Sequence, residues 1–313
     1  MQAYYYTPND CDLDELPDGA FRLDDSRIAE TADPKQADLF VCPVMIHHMG
    51  QMTGYGTNNL AKLKRLPYLD KHPGRHVFFN CGDTFRTALP PESLAFRCDA
   101  TKQLLAVNPN TVPIAWPTKD CRIDSGGRAF EWGERRFDVS FIGWERLALC
   151  TKALDSCERS GLVCLVCDFE RKDTFYGHHE KQDIANGAPE RTRYLESINR
   201  SRFSLCPTSI EDGVIRYRVY EALSAGTIPV IIGDGSALPM SELIDWDRCA
   251  LIIPEADVDN TDGYIREAID CNWFGQAERQ YAIDVWNNLL TSDNWFNYCT
   301  EKAIEWVKKE WAK

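Results

Sequence analysis

Residues 229–232, Pro-Val-Ile-Ile, are apolar at every position and stand between Gly226-Thr227-Ile228 and Gly233-Asp234. A strand with one wet face alternates polar and apolar residues. A short run with no polar face fits a strand covered on both sides, as in a parallel sheet flanked by helices. Further segments suited to strands occur at 37–44, 76–80, 137–143, 161–167, 203–206 and 250–253, and segments suited to helices fall at 60–69, 148–160, 194–200, 217–225 and near 240–243. Strand, helix, strand is the order of an α/β fold, so that class is predicted.

The chain has 313 residues, enough for about two domains at ~100–200 residues each. Pro109, Pro113, Pro117 and then Ser125-Gly126-Gly127 interrupt regular structure, which places the junction there or just after. The predicted division is 1–135, 136–275 and a helical tail at 276–313, with Trp286, Trp295, Trp306 and Trp311 packed as core. Two α/β halves of similar size make the cleft between them the expected active site.

With 35 Lys+Arg against 48 Asp+Glu, the net charge of −13 argues against a protein that coats nucleic acid or anionic membrane. No transmembrane run and no signal peptide are read from the sequence. Thirteen cysteines are scattered through apolar segments of a chain too large to need staples, so free thiols and a reducing cytoplasm are expected.

The most informative stretch runs from Ser201 to Asp234. A buried strand ends at Pro207-Thr208-Ser209, and a loop with Gly213 leads to Arg216-Tyr217-Arg218 at the start of a helix. Such strand-to-helix loops hold phosphate, and two arginines in a first turn oppose the helix dipole unless an anion lies between. Glu221, one turn on, has paired acceptors suited to two ribose hydroxyls, while a surface Arg218–Glu221 ion pair at i,i+3 explains the spacing equally well.

The string SRFSLCPTS, RYRVYEALSAGTIPVIIGDG, LPMSELIDWDRCALIIPEADV resembles the donor-binding half of the exostosin-like glycosyltransferases, family 47, with its strand, "R..EA" helix, "G.IPVI" strand and "IDW" segment. ADLFVCPVMIHHMG, HVFFNCGDT and DVSFIGWER are similar to earlier landmarks of that family, in the same order. The resemblance implies a GT-B architecture: two Rossmann-like domains facing a central cleft, acceptor side first and nucleotide-sugar side second, with inverting transfer and no obligatory metal. It implies Arg218 at the diphosphate, Glu221 at the ribose and Arg146 as a second phosphate clamp. Thr208, Ser209, Arg216, Tyr217 and Asp234 complete the expected donor set. Arg216 departs from the family, which commonly has Ser there. A UDP-sugar donor and a glycan or glycoconjugate acceptor follow from the same resemblance, and the missing anchor fits a cytoplasmic enzyme of bacterial or viral source.

Inverting transfer needs a base for the acceptor hydroxyl and positive charge for the leaving diphosphate. Asp83 matches the Asp of the family's "HD.G" landmark and is the first candidate base; His47 and His48 are the second. A turn or N-cap role explains Asp83 as well. The alternatives are a metal-dependent GT-A enzyme, prompted by Asp12/Asp14, Asp245/Asp247 and Asp257/Asp259, and a glycan- or nucleotide-binding module without turnover.

Overall fold

The computed structural model describes residues 1–11, 21–23, 25–45, 63, 66–80, 89–116, 118–123, 129–143, 148–168, 189–208 and 213–311. The chain forms two compact units. Unit 1 comprises Met1–Pro117, Ala237–Met240 and Ser292–Lys313, and unit 2 comprises Thr118–Ser236 and Ser241–Thr291.

Unit 1 is built on β1 (Gln2–Tyr5), β2 (Ala29–Glu30), β3 (Leu39–Met45), β4 (His76–Asn80), β5 (Leu94–Arg97) and β6 (Thr111–Pro113). The sheet order is β2-β1-β3-β4-β5-β6, with every pair parallel. All five residues of β4 and all four of β5 are buried, which accounts for their lack of alternation. Helix α1 (Lys102–Val107) is started by Thr101, whose hydroxyl accepts from the Leu104 amide at 3.0 Å.

The helix expected at 60–69 does not extend through its second half. Residues 66–71 form turns, with Pro67 lacking an amide donor and Tyr68 at φ 74°. Behind them Tyr6, Phe40, Tyr68, His72 and His76 stack on one another.

Unit 2 holds β7 (Phe137–Gly143), β8 (Cys164–Asp168), β9 (Ser201–Pro207), β10 (Ile228–Ile232) and β11 (Leu251–Ile253), again all parallel, in the order β11-β10-β9-β7-β8. Its helices are α2 (Ala148–Arg159), α3 (Pro189–Arg200), α4 (Arg218–Ser224), α5 (Thr261–Asp270) and α6 (Gln276–Val285). Helix α2 buries Leu149, Cys150, Ala153, Leu154 and Cys157, one stripe at helical spacing. The central run at β10 is buried at all five positions, as its sequence requires. A helix is absent near 240–243, where the chain turns with Met240 at φ 50°.

The predicted pair of Rossmann-like α/β units is present, the composition of the GT-B class. The tail is helical but divided: α6 and the π-helical turn Trp286–Leu290 belong to unit 2, whereas α7 (Ser292–Trp311) belongs to unit 1. Trp286, Trp295 and Trp306 are buried as expected. Trp311, the last helical residue, is 56% exposed, because a helix end has no following turn to cover it.

Candidate functional site

Strand order points to a candidate site in unit 2. From β7 the chain moves to β8 on one side of the sheet and then crosses to β9 on the other, so the connections leaving β7 and β9 diverge. In open parallel sheets the crevice at such a reversal, outside the carboxyl ends of the strands, is where ligands bind. Thr208 follows β9 directly. It is buried, and its amide donates to Ile232 O at 2.9 Å. Gly233, after β10, adopts φ 126°, and a Cβ there would collide with Thr208 Oγ1, so glycine is required for the two strand ends to meet. Asp234 in the same loop is exposed. Ser236 donates to Gly213 O, which ties this loop to the segment leading into α4.

Helix α4 begins at Arg218 with Tyr217 as its N-cap residue, and it has seven residues. The expectation that Arg216 shares the first turn is therefore corrected: it is half-buried and precedes the helix by two positions. Arg218 places its guanidinium carbon 4.9 Å from the centre of the Phe141 ring of β7, a cation–π contact across the strand reversal. The residue retains some exposure, but its Nε is buried and has no hydrogen-bond partner among the described residues. Burial works against the charge, yet Tyr194, Tyr217, Cys206 and Glu221 outweigh it and raise the pKa. A buried guanidinium donor left open costs about 1–3 kcal/mol or more, and an anion would satisfy it.

Glu221 is 6% exposed, so the surface ion pair is not the arrangement found. Its Oε2 accepts from the Tyr194 hydroxyl of α3, and Cys121 Sγ lies 3.9 Å from Oε1. Cys121 is fixed in turn: its amide donates to Ser224 Oγ at 3.0 Å and its carbonyl accepts from Asn199 Nδ2 at 2.7 Å. Burial, reinforced by Glu221, pushes the Tyr194 phenol well above its usual pKa, so it remains a donor.

Arg135, 4% exposed, braces the helices that carry these groups. It donates to Ser201 O at 2.6 Å just past α3, and to Ala225 O at 3.0 Å and Gly226 O at 2.8 Å just past α4. Cationic donors suit carbonyls at helix carboxyl ends.

His47, His48, Asp83, Arg146 and Ser209 lie outside the described residues. In the chain, His47 and His48 follow β3, Asp83 follows β4, and Arg146 falls between β7 and α2. At the adjoining end of β5 the sequence reading missed a buried ion pair. Arg97 Nε and Nη2 donate to the two carboxylate oxygens of Asp99 at 2.9 and 2.8 Å, and Asn80 Nδ2 adds a bond to Oδ2 at 3.0 Å. The Arg-x-Asp spacing was the only signal, and a strand end does not by itself reveal that both charges are buried.

Among the described residues, no group of three or more His, Cys, Asp or Glu side chains is placed to hold a metal. Asp257 accepts from the Tyr264 hydroxyl at 2.8 Å, and Asp259 lies 3.7 Å from Lys152 Nζ. No described helix is long and apolar enough to cross a membrane. No disulfide joins the eleven cysteines whose side chains are described.

Residues 154–269 match the Exostosin GT47 domain model, a span that includes α4 and the strands on either side of it. A probable glycosyltransferase of Arabidopsis thaliana is 33% identical over 87 residues, covering 26% of this chain and 16% of that protein. The exostosin-1 homolog of Caenorhabditis elegans is 38% identical over 72 residues, covering 23% and 18%. Exostosin-1 of Bos taurus is 26% identical over 245 residues, covering 71% and 32%. The matches span less than a third of the length of these relatives. Among solved structures, an alpha-glucosyltransferase in complex with UDP and a 13-mer DNA aligns with a TM-score of 0.45 and 14% identity, covering 98% of this chain and 90% of that one. The domain match falls on the unit whose strand reversal carries Arg218 and Glu221, and that part of the chain is similar to the exostosin GT47 domain.

Proposed function

We propose that the chain is an inverting glycosyltransferase, moving one hexose or pentose from a UDP-sugar to a hydroxyl of a glycan or glycoconjugate. The observation that carries this reading is the buried Nε of Arg218 at the strand reversal of unit 2, which has no hydrogen-bond partner among the described residues. The glycosyltransferase names among the relatives support it.

In this reading residues 136–275 serve the donor and residues 1–135 the acceptor, with 276–313 as helical support. Arg218 and Arg146 meet the diphosphate, and Glu221 accepts from the ribose hydroxyls. Thr208, Ser209, Arg216, Tyr217 and Asp234 surround the rest of the donor. The acceptor oxygen attacks the anomeric carbon from the face opposite the diphosphate. A new C–O bond forms, the bond to the diphosphate breaks, and its electron pair leaves with the phosphate oxygen. The acceptor proton passes to Asp83, or to His47 or His48 in its place, while the guanidinium groups stabilise the departing charge. No obligatory metal is part of the proposal, so transfer persists in excess chelator. The free thiols among the described residues favour a reducing compartment such as the cytoplasm.

Thermal unfolding with added nucleotides tests the reading. A ligand at 100 times its Kd stabilises the folded state by about 2.7 kcal/mol, so UDP should raise the Tm. Absence of a shift at millimolar UDP, together with absence of transfer from any UDP-sugar, would reject it.

A further inference from the structure

Tyr194 has no part in the transfer chemistry just described, yet it is 3% exposed and its hydroxyl is committed to Glu221. The two residues come from different helices, α3 and α4, and the carboxyl ends of both are held by Arg135. A phenol donating to a carboxylate forms a charge-assisted bond, and the direction of that bond fixes the carboxylate plane. Cys121 Sγ, 3.9 Å from Oε1, closes another side of the carboxylate; Cys206 and Arg218 act on it electrostatically. A carboxylate has about four acceptor positions, and the phenol and the thiol orient Glu221 from its two oxygens.

We infer that Tyr194 is a positioning residue for the nucleoside part of the donor, holding Glu221 in the rotamer that accepts from paired ribose hydroxyls. The inference rests on the reading of unit 2 as the nucleotide site. It divides donor recognition in two: Arg218 takes the diphosphate whatever is attached to it, and the Tyr194–Glu221 pair takes the sugar diol. Diphosphate and ribose recognition are then separable by substitution.

Calorimetric titration with UDP and with inorganic pyrophosphate provides the test. Tyr194→Phe removes one oxygen and keeps the ring, and its melting curve reports whether the fold is intact. UDP is expected to bind about 10-fold more weakly, the effect of losing a bond to a charged group, with pyrophosphate affinity unchanged. In a Glu221→Leu background, Tyr194→Phe is expected to cause no further loss of UDP affinity, because a residue acting through another is not additive with it. Equal loss for both ligands, an additive loss in the Glu221→Leu background, or unchanged UDP affinity in Tyr194→Phe would each overturn the inference. If neither ligand binds the wild-type chain, the reading of the site fails and the inference fails with it. Should Tyr194→Phe not fold, Glu221→Asp withdraws the carboxylate from the phenol by one methylene and is read out in the same way.

Discussion

Two arginines stand at the carboxyl edges of the two sheets, and the fold treats them in opposite ways. The sheets share one strand order, with the second strand outside the first and the third on its other side. In unit 1, Arg97 is 2% exposed and meets Asp99 through two parallel hydrogen bonds, with Asn80 bound to the same carboxylate. In unit 2, Arg218 is surrounded by an aromatic ring, two tyrosines, a thiol and Glu221, and its Nε is unmatched among the described residues. A buried cation paired with its own carboxylate is complete within the fold, whereas a guanidinium with an open donor can accept an anion from outside it. Burial alone does not distinguish structure from function; the identity of the partner does.

The contrast is broken most directly at Arg218. Arg218→Gln should lower transfer by about 10²–10³-fold, the usual effect of removing a donor aimed at developing charge. Its Tm without ligand should stay close to wild type, and a large drop in Tm would show that Arg218 is as structural as Arg97. Arg97→Met should do the reverse. Stranding Asp99 costs about 3–5 kcal/mol in denaturant titrations, and replacing both partners by apolar residues should recover part of it.

A smaller effect sharpens the comparison through pH. His76 of unit 1 is fully buried, with Nε2 2.6 Å from the Tyr6 hydroxyl and Nδ1 2.7 Å from His72 O. Burial lowers its pKa to about 4 from 6.5, against the His72 carbonyl, which raises it. The unfolded chain therefore binds more protons between those values. Stability is retained above pH 6.5 and lost as pH falls towards 4, by about 3 kcal/mol at the order-of-magnitude level. His76→Gln should flatten this acid limb in a pH series of melting curves, without changing UDP affinity. An unchanged limb would remove His76 as its cause.

Much of the sheet framework was legible in sequence because most of its longer strands are rich in apolar residues between turn-forming segments; β4 and β7 have the predicted limits, and β9 and β10 differ only at their ends. β1, β2, β5 and β6 were not recognised. They have two to four residues, too short for a pattern, and their pairing is set by distant neighbours. Arg218 and Glu221 were legible through family resemblance together with their helical spacing. Tyr194, Arg135 and the Arg97–Asp99 pair were not, because Tyr194 meets Glu221 from 27 residues away and Arg135 reaches 66 to 92 residues along the chain for most of its partners. The start of α4 was misplaced because Arg216 and Arg218 look alike in sequence, and backbone geometry alone separates them.

Helix α7 lies at the end of the chain but completes the unit formed by its beginning. Trp295 packs 5.9 Å from Phe21, and Arg27 is paired with Glu301. During synthesis, every residue of unit 2 has been made before α7 emerges, so unit 2 can fold while unit 1 still exposes the apolar surface that this helix covers. Unit 2 can therefore mature first on the ribosome, with unit 1 finished last. A release from translation before residue 292 would leave Phe21 and its neighbours uncovered, an opening for chaperones or aggregation.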